Sequence, residues 1–324
     1  PDEANARESV AGLRSQVNLA FTAWLLKRFA GLVNLPSTPP VMVHHIPRFL
    51  AGQMERDADA KVAMLVVDGL SLDQWLAVRD AIAKRQPSLR FREHTVFAWV
   101  PSLTSISRQA AFAGRPPLFF PNSIQTTEKE PVLWTQFWSD HGYSAHEVVY
   151  MKGLGEDGLD RLSEALSHPK ARIAGLVVDK VDRIMHGMEL GTAGMYNQVR
   201  QWAEQPYLVS LLNTIAEAGF RVYLTSDHGN VESVGCGSPA EGAVADLRGE
   251  RVRVYPTADL RSKVKVCFPA ALEWNPIGLP DDYLALLAPP GQSFTQEHRR
   301  TVGHGGASIE ELIVPLVEIE RMDA

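Results

Sequence analysis

The chain has 324 residues, 45% of them hydrophobic and 22% charged, enough for one large core or a core with satellites. Its net charge of −6, from 32 Lys+Arg against 38 Asp+Glu, gives no global basic bias toward nucleic acid, so a polyanionic partner would need a local basic patch. Two cysteines, Cys236 and Cys267, suit a reducing compartment better than a disulfide framework.

The sequence opens on Pro1 rather than Met, which points to a piece of something longer. Residues 4–33 read as a helix, with Leu13, Val17, Ala20, Phe21, Trp24 and Leu25 recurring at spacings of three and four on one face. Its longest apolar stretch, Leu19 to Val33, is broken by Lys27, Arg28 and Gly31, so a cytoplasmic protein with no membrane partner is expected. The three prolines of LPSTPPV (35–41) mark a linker, and residues 1–60 read as an N-terminal helical segment and linker.

From residue 61 the pattern changes. Lys61–Val67, His94–Val100, Arg172–Val178 and Phe220–Leu224 read as buried strands; Leu72–Lys84, Leu159–Leu166 and Leu208–Ala218 read as helices between them. Such alternation argues for an α/β fold with a mostly parallel sheet sandwiched by helices. Residues 229–303 break the rhythm with many Gly and Pro, and read as an inserted cap or lid with β segments at Arg251–Tyr255 and Lys263–Phe268. Ser308 and Glu311 then form a capping box. Ile313–Ile319 reads as a last strand, placed at an edge or bulge by Pro315. The core would therefore comprise 61–228 plus 304–324.

Four strand ends carry groups capable of chemistry: Asp68 after MLVV, Thr104 just past Pro101, Asp182 and His186 in DKVDRIMHG, and Asp227 with His228 in TSDHG. In open parallel sheets ligands gather at the carboxyl edge, where all four would meet. Taken singly each has a plain reading. Asp68 is a helix N-cap, Asp227-His228 a polar turn, and His304 a loop histidine; Asp179 competes with Asp182. Together the case is stronger. Asp182 and His186 share one helical face and can reach one ion. Gly229, Gly303, Gly305 and Gly306 allow tight backbone turns beside His228 and His304. Three carboxylates with three imidazoles suit zinc, with manganese as the alternative, better than calcium.

In order along the chain, VVDG, PSLTSISRQAAFAG, DKVDRIMHG, TSDHGN and GHGGASIEELIVPLVEI resemble the alkaline phosphatase superfamily, and within it the PglZ-domain branch associated with BREX-type bacterial defence against phage. DHGN and HGGxSxEE are also similar to the cofactor-independent phosphoglycerate mutases. The resemblance implies two divalent ions, one held by Asp68, Thr104, Asp227 and His228, the other by Asp182, His186 and His304. It prefers Asp182 to Asp179, because the family places an Asp four residues before a His. Thr104 stands at the nucleophile position, with Ser102, Ser105 and Ser107 as nearby rivals; Ser107 falls where some members carry an oxygen-binding Asn. A threonine hydroxyl is a poor nucleophile at neutral pH, and two ions about 4 Å apart would favour its alkoxide and hold attacking and leaving oxygens in line. Arg108, one turn after Thr104, could contact a phosphate oxygen; a solvated helix arginine is the plainer reading.

The leading expectation is a metal-dependent phosphodiesterase or nuclease of a phage-defence system, acting through a phospho-Thr104 intermediate on a phosphate ester, DNA or oligonucleotides included. A phosphomonoesterase or phosphomutase on a small metabolite is the second reading. A non-catalytic metal-bound scaffold or nucleotide-sensing module docked on defence proteins is the third. Arg248, Arg251, Arg253, Arg261, Lys263 and Lys265 form either a solvated face or a cap that steers a polyanion, with alternate residues sharing one strand face. His44-His45 reads as loop or interface, Trp134 and Trp138 as helix packing, and Arg183 as a surface residue or a substrate contact.

Overall fold

The structure, a computed structural model, describes residues 3–239, 245 and 247–322. Helix α1 (Glu3–Leu32) leads through the proline linker to α2 (Ile46–Arg56). Alternation follows: β1 (Val62–Val67), α3 (Leu72–Arg85), β2 (Leu89–Phe97), α4 (Thr104–Ala113), α5 (Glu130–Asp140), β3 (Val148–Met151), α6 (Leu159–Leu166), β4 (Ile173–Val178), α7 (Lys180–His186), α8 (Gly191–Ala203), α9 (Tyr207–Glu217) and β5 (Arg221–Thr225). Next come β6 (Val231–Gly235), β7 (Leu247–Arg248), β8 (Val252–Tyr255), α10 (Ala258–Cys267), β9 (Leu272–Trp274), β10 (Leu284–Leu287), β11 (Gln292–Ser293) and β12 (Arg300–Gly303). A short α11 (Ile309–Leu312) and β13 (Ile313–Arg321) complete the described chain.

The main sheet has six strands in the order β2-β13-β5-β1-β4-β3. β3, β4, β1 and β5 pair in parallel, whereas β13 runs antiparallel to both β5 and β2. Burial of all six residues of β1 explains its unbroken apolar run, because both faces of the strand are covered. Val62, Met64 and Val66 face one core, with residues of α1, α2, α4 and α5; Ala63, Leu65 and Val67 face the other, with residues of α3, α6, α8 and α9. Thus the fold is the helix-covered, mostly parallel α/β sheet that the alternation predicts. Residues 229–303 instead build a four-stranded sheet, β7-β8-β10-β9, and a three-stranded one, β11-β6-β12.

Five expectations change. The strand expected buried at His94–Val100 is β2, Leu89–Phe97, which lies at the sheet edge with most of its residues exposed or half-buried. Lys263–Phe268 is not a strand but the end of α10. Thr257 caps this helix by accepting from the Leu260 N–H, and Leu260, Val264 and Phe268, four apart, pack on a small core around Tyr255 and Phe294. Its Lys-Val alternation imitates a strand, yet Val266 is 79% exposed.

The basic cluster is also dissolved. Arg251 and Arg253 are buried, Arg251 against Glu311 and Arg253 on the carbonyls of Gly249, Val252 and Phe294. Arg261 bonds the Trp274 carbonyl, Lys265 bonds those of Pro269 and Ala271, and the side chain of Arg248 lies outside the described residues.

β13 is an interior strand despite Pro315. The Pro315 carbonyl accepts from Thr225 Oγ1, so its missing donor faces the β5 flank, where pairing begins only at Leu316.

Finally, only the C-terminal half of α1 reaches the core. Leu25 and Phe29 are buried, while Leu13 and Val17 stay 62% and 41% exposed. Trp24, also largely exposed, stacks on Phe97 with ring centroids 5.7 Å apart.

Candidate active site

β1 ends in Asp68, whose backbone N–H continues the ladder to the Val178 carbonyl of β4. The chain turns at once at Gly69, with φ +75°, and the Asp182 N–H bonds the Asp68 carbonyl at 3.1 Å. A side chain at position 69 would meet the Asp182 backbone only at ordinary van der Waals distance, so it is the left-handed turn that calls for glycine. Gly69 N–H donates to Asp227 Oδ1 at 3.2 Å, and Asn230 Nδ2 donates to the Gly69 carbonyl at 2.8 Å. Asn230 of DHGN therefore clamps the turn that presents Asp68. Gly229 is required for a different reason: a Cβ there would run into the Glu310 carbonyl.

Asp68, Asp227 and His228 bring ligand atoms within 4.8 Å of one another, and so do Asp182, His228 and His304. His228 is common to both sets. Its ring stacks on His304 with centroids 3.8 Å apart and planes 4° from parallel. Nδ1 lies 3.0 Å from the Gly229 carbonyl, which can only accept, so Nδ1 carries the hydrogen and Nε2 is left as the acceptor. That Nε2 lies 2.8 Å from Thr104 Oγ1. Thr104 is the first residue of α4.

His186 stands further out, with its side chain 59% exposed, 3.4 Å from Asp182 Oδ1 and 6.1 Å from His304 by ring centroids. Asp179, the rival of Asp182, is an N-cap residue paired with Arg183 at 2.5 Å. The serine rivals of Thr104 have other roles. Ser107 Oγ accepts from the Trp99 N–H, and Ser102 Oγ bridges the Gly305 N–H and the Gly306 carbonyl. The Ser102 carbonyl, in turn, holds His304 Nδ1 at 2.7 Å. Ser105 is half-buried, and its carbonyl accepts from Gln109.

Electrostatics make the cluster a cradle for positive charge. Two buried carboxylate oxygens, Asp68 Oδ1 and Asp227 Oδ2, lack a hydrogen-bond donor, and Asp182 Oδ1 has only the long 3.4 Å approach of His186 Nε2. Burial, and then the neighbouring Asp227, pushes Asp68 well above the usual carboxylate range; burial pushes Asp227 up to about 6. Asp182 is held below its ordinary value, against the pull of burial, by the facing His186, which Asp182 in turn raises. Burial first, then His228, drives His304 down to about 3, leaving a neutral imidazole. Orphaned carboxylates beside the neutral His304 imidazole fit divalent cations, because a cation would satisfy acceptors that no protein donor reaches.

Arg108 is neither exposed nor directed to a free space. Its guanidinium is buried, with Nη1 on Asp68 Oδ2 and Nε 2.8 Å from Glu130 Oε1. Burial acts against its charge, but Asp68 and Glu130 raise it well above the ordinary arginine value.

Sequence reasoning missed Glu130, which precedes a proline and reads only as a helix start. It also missed Tyr150, Asn230 and the pairing of Arg251 with Glu311. That bidentate pair, at 2.8 and 3.0 Å, fixes the His304 loop, because Glu311 also accepts from the Gly306 and Ser308 N–H groups. The capping box of Ser308 with Glu311 was the visible half of this signal.

A mostly parallel sheet with this constellation at its strand ends defines an alkaline phosphatase-like domain, a class that supports phosphoester hydrolysis. Residues 47–319 match the family of BREX system PglZ alkaline phosphatase-like domains, and the chain belongs to that family. No curated protein matches it. Among solved structures, murine ectonucleotide pyrophosphatase/phosphodiesterase 5 is similar at 12% identity and TM-score 0.55, over 79% of this chain and 87% of that one. An inactive threonine-to-alanine variant of the murine enzyme in complex with AMP gives 13%, 0.54, 80% and 88%. Phosphonoacetate hydrolase from Sinorhizobium meliloti 1021, in complex with phosphonoformate, gives 13%, 0.51, 82% and 90%. At these identities the likeness is one of fold. Among the described residues no helix is long and apolar enough to cross a membrane.

Proposed function

We propose that the domain is a metal-dependent phosphodiesterase, working in a bacterial phage-defence system as the BREX description of its family implies. The observation that carries this reading is the threonine hydroxyl 2.8 Å from His228 Nε2, beside buried carboxylate oxygens that have no donor. Asp68, Asp227, His228 and Thr104 would hold one divalent ion, and Asp182, His304 and the outlying His186 a second, zinc or manganese. Bound there, the ions would supply Lewis acidity: they would favour the threonine alkoxide and offset charge on the phosphoryl oxygens.

The chain's own groups do the rest. The contact of Thr104 Oγ1 with His228 Nε2 at 2.8 Å belongs to the metal-free site; Nε2 is also the atom His228 would give a cation, so an ion held there would lie beside the threonine oxygen. The helix start at Thr104, held between Leu103 and α4, fixes the direction of attack. Thr104 Oγ1 gives its proton to solvent and bonds to phosphorus as the ester P–O bond breaks, and the leaving oxygen takes a proton from water and departs as the alcohol; a second water then cleaves the ester between phosphorus and Thr104, and its proton restores the hydroxyl. The inactive threonine-to-alanine phosphodiesterase bound to AMP is consistent with a threonine in that role and with a nucleotide as part of the substrate. Residues 229–303 act as the cap of this site and 1–60 as a brace. In the brace, Arg14 and Asn18 bond Glu310 at 2.5 and 3.0 Å, beside the His304 loop.

A diester is favoured over a monoester by charge. The guanidinium that reaches the cluster is already bonded to Asp68 and Glu130, so it is not free for the extra charge of a monoester dianion. Burial of Arg251 and Arg253 removes the basic face proposed for long DNA, so short nucleotide diesters are the better substrates. Turnover of bis-p-nitrophenyl phosphate, p-nitrophenyl phosphate and single-stranded DNA with Zn²⁺ or Mn²⁺ tests this. The first should lead, and turnover of the monoester alone would defeat the diester reading. Thr104→Ala should lower kcat at least a thousandfold with metal still bound; unchanged turnover would remove Thr104 as nucleophile.

A further inference from the structure

Behind Asp68 lies a buried chain of polar groups that the proposed chemistry does not use. Tyr150, on β3, donates to Glu130 Oε2 at 2.5 Å. Glu130, the first residue of α5 and fully buried, takes Arg108 Nε on its other oxygen at 2.8 Å. Arg108 then holds Asp68 by Oδ2 alone, while Asp68 Oδ1 keeps no donor. Four elements therefore converge on one carboxylate and divide its two oxygens.

We infer that Glu130, backed by Tyr150, is a positioning residue for the metal centre: it neutralises Arg108 so that Asp68 can orient through Oδ2 yet keep its charge for a cation at Oδ1. The arithmetic is local. Arg108 and Glu130 together carry no net charge, so Asp68 presents its full negative charge to an ion. With Glu130 neutral, the guanidinium would pair with Asp68 alone and compete with any cation for it. Buried charges interact strongly, and groups behind a ligand change metal affinity by about 10–100-fold. Tyr150 makes this arrangement unique, since its hydrogen bond leaves Glu130 one oxygen for Arg108. The hydroxyl is itself kept protonated, with burial first and Glu130 second raising it far above its ordinary value.

The inference rests on the reading of Asp68 as a metal ligand, and calorimetric titration of Mn²⁺ into chelator-stripped protein separates the two. The wild-type chain should bind Mn²⁺. If it binds none, the metal centre falls and this role with it. Given wild-type binding, Glu130→Gln should weaken one binding step about tenfold and leave the other within about twofold. Glu130→Gln combined with Arg108→Gln, which restores the local charge balance, should return that step to within about threefold of wild type. A purely structural Glu130 would give a double variant at least as weak as the single one. Tyr150→Phe, which removes one hydroxyl, should weaken the same step two- to fourfold, and it decides the matter should Glu130→Gln not fold. Unchanged Mn²⁺ affinity in folded Glu130→Gln, or in Tyr150→Phe should only that variant fold, would overturn the role, as would a double variant that fails to recover.

Discussion

His44 and His45 show what a polar pair does once it is walled in. Both Nε2 atoms reach the Val33 carbonyl, at 3.0 and 3.1 Å, and His45 Nδ1 accepts from the Val41 and Met42 N–H groups. The doublet ties the proline linker to the end of α1. Burial first, then His45, pushes His44 down to about 3, and burial lowers His45 as well. Because its folded value lies below the unfolded one near 6.5, His44 is neutral in both states above pH 6.5 and costs nothing there. As pH falls from 6.5 toward 3 only the unfolded chain gains the proton, so stability declines by about 1 kcal/mol per pH unit from this group. Denaturant midpoints at pH 7.5 and pH 5 should therefore converge for His44→Gln relative to wild type; equal acid sensitivity in both proteins would refute the assignment. Nothing in VMVHHIP announced this burial. The sequence shows the imidazoles, but their shared acceptor lies across a chain reversal.

At the scale of elements, the legible parts were those whose signal is local. Unbroken apolar runs marked β1, β4 and β5, since each is covered on both faces, and Ser308 with Glu311 marked the start of α11. α10 was misread because Lys-Val alternation has the period of a strand while its contacts are four apart. The Arg251–Glu311 pair was unreadable because its partners are sixty positions apart and belong to different sheets' surroundings. It also holds the His304 loop, through the Gly306 and Ser308 amides that bond Glu311. Glu311→Ala would strand a buried guanidinium and release the Gly306 and Ser308 amides, a loss of about 3 kcal/mol or more. Urea unfolding should show that loss, together with weaker Mn²⁺ binding through His304; a change under 1 kcal/mol would mean the loop holds itself.

Seen whole, the molecule gathers at one sheet edge residues that lie from Asp68 to His304 in the chain. Strand ends made most of that gathering predictable, whereas the arrival of His304 depends on how 229–303 folds back, which no periodicity encodes. Assembled without cations, the edge holds carboxylates that burial disfavours, so ligand binding should stabilise the entire fold. Metal at about 100 times its dissociation constant adds about 3 kcal/mol, enough to raise Tm by several degrees. Calorimetric melting with and without EDTA checks this, and Thr104→Ala should keep most of the increment; identical melting curves would deny the coupling. β13 has a further consequence. It is the last strand of the sheet, yet it lies between β2 and β5 and pairs with residues more than two hundred positions earlier on the β2 side. A ribosome must therefore deliver nearly all of the described sequence before either neighbour loses its open flank. Until then the flanks of β2 and β5 that β13 will cover stay bare, which makes the nascent chain a natural client for chaperones and makes a premature stop before Ile313 more damaging than an equally long deletion in a surface loop.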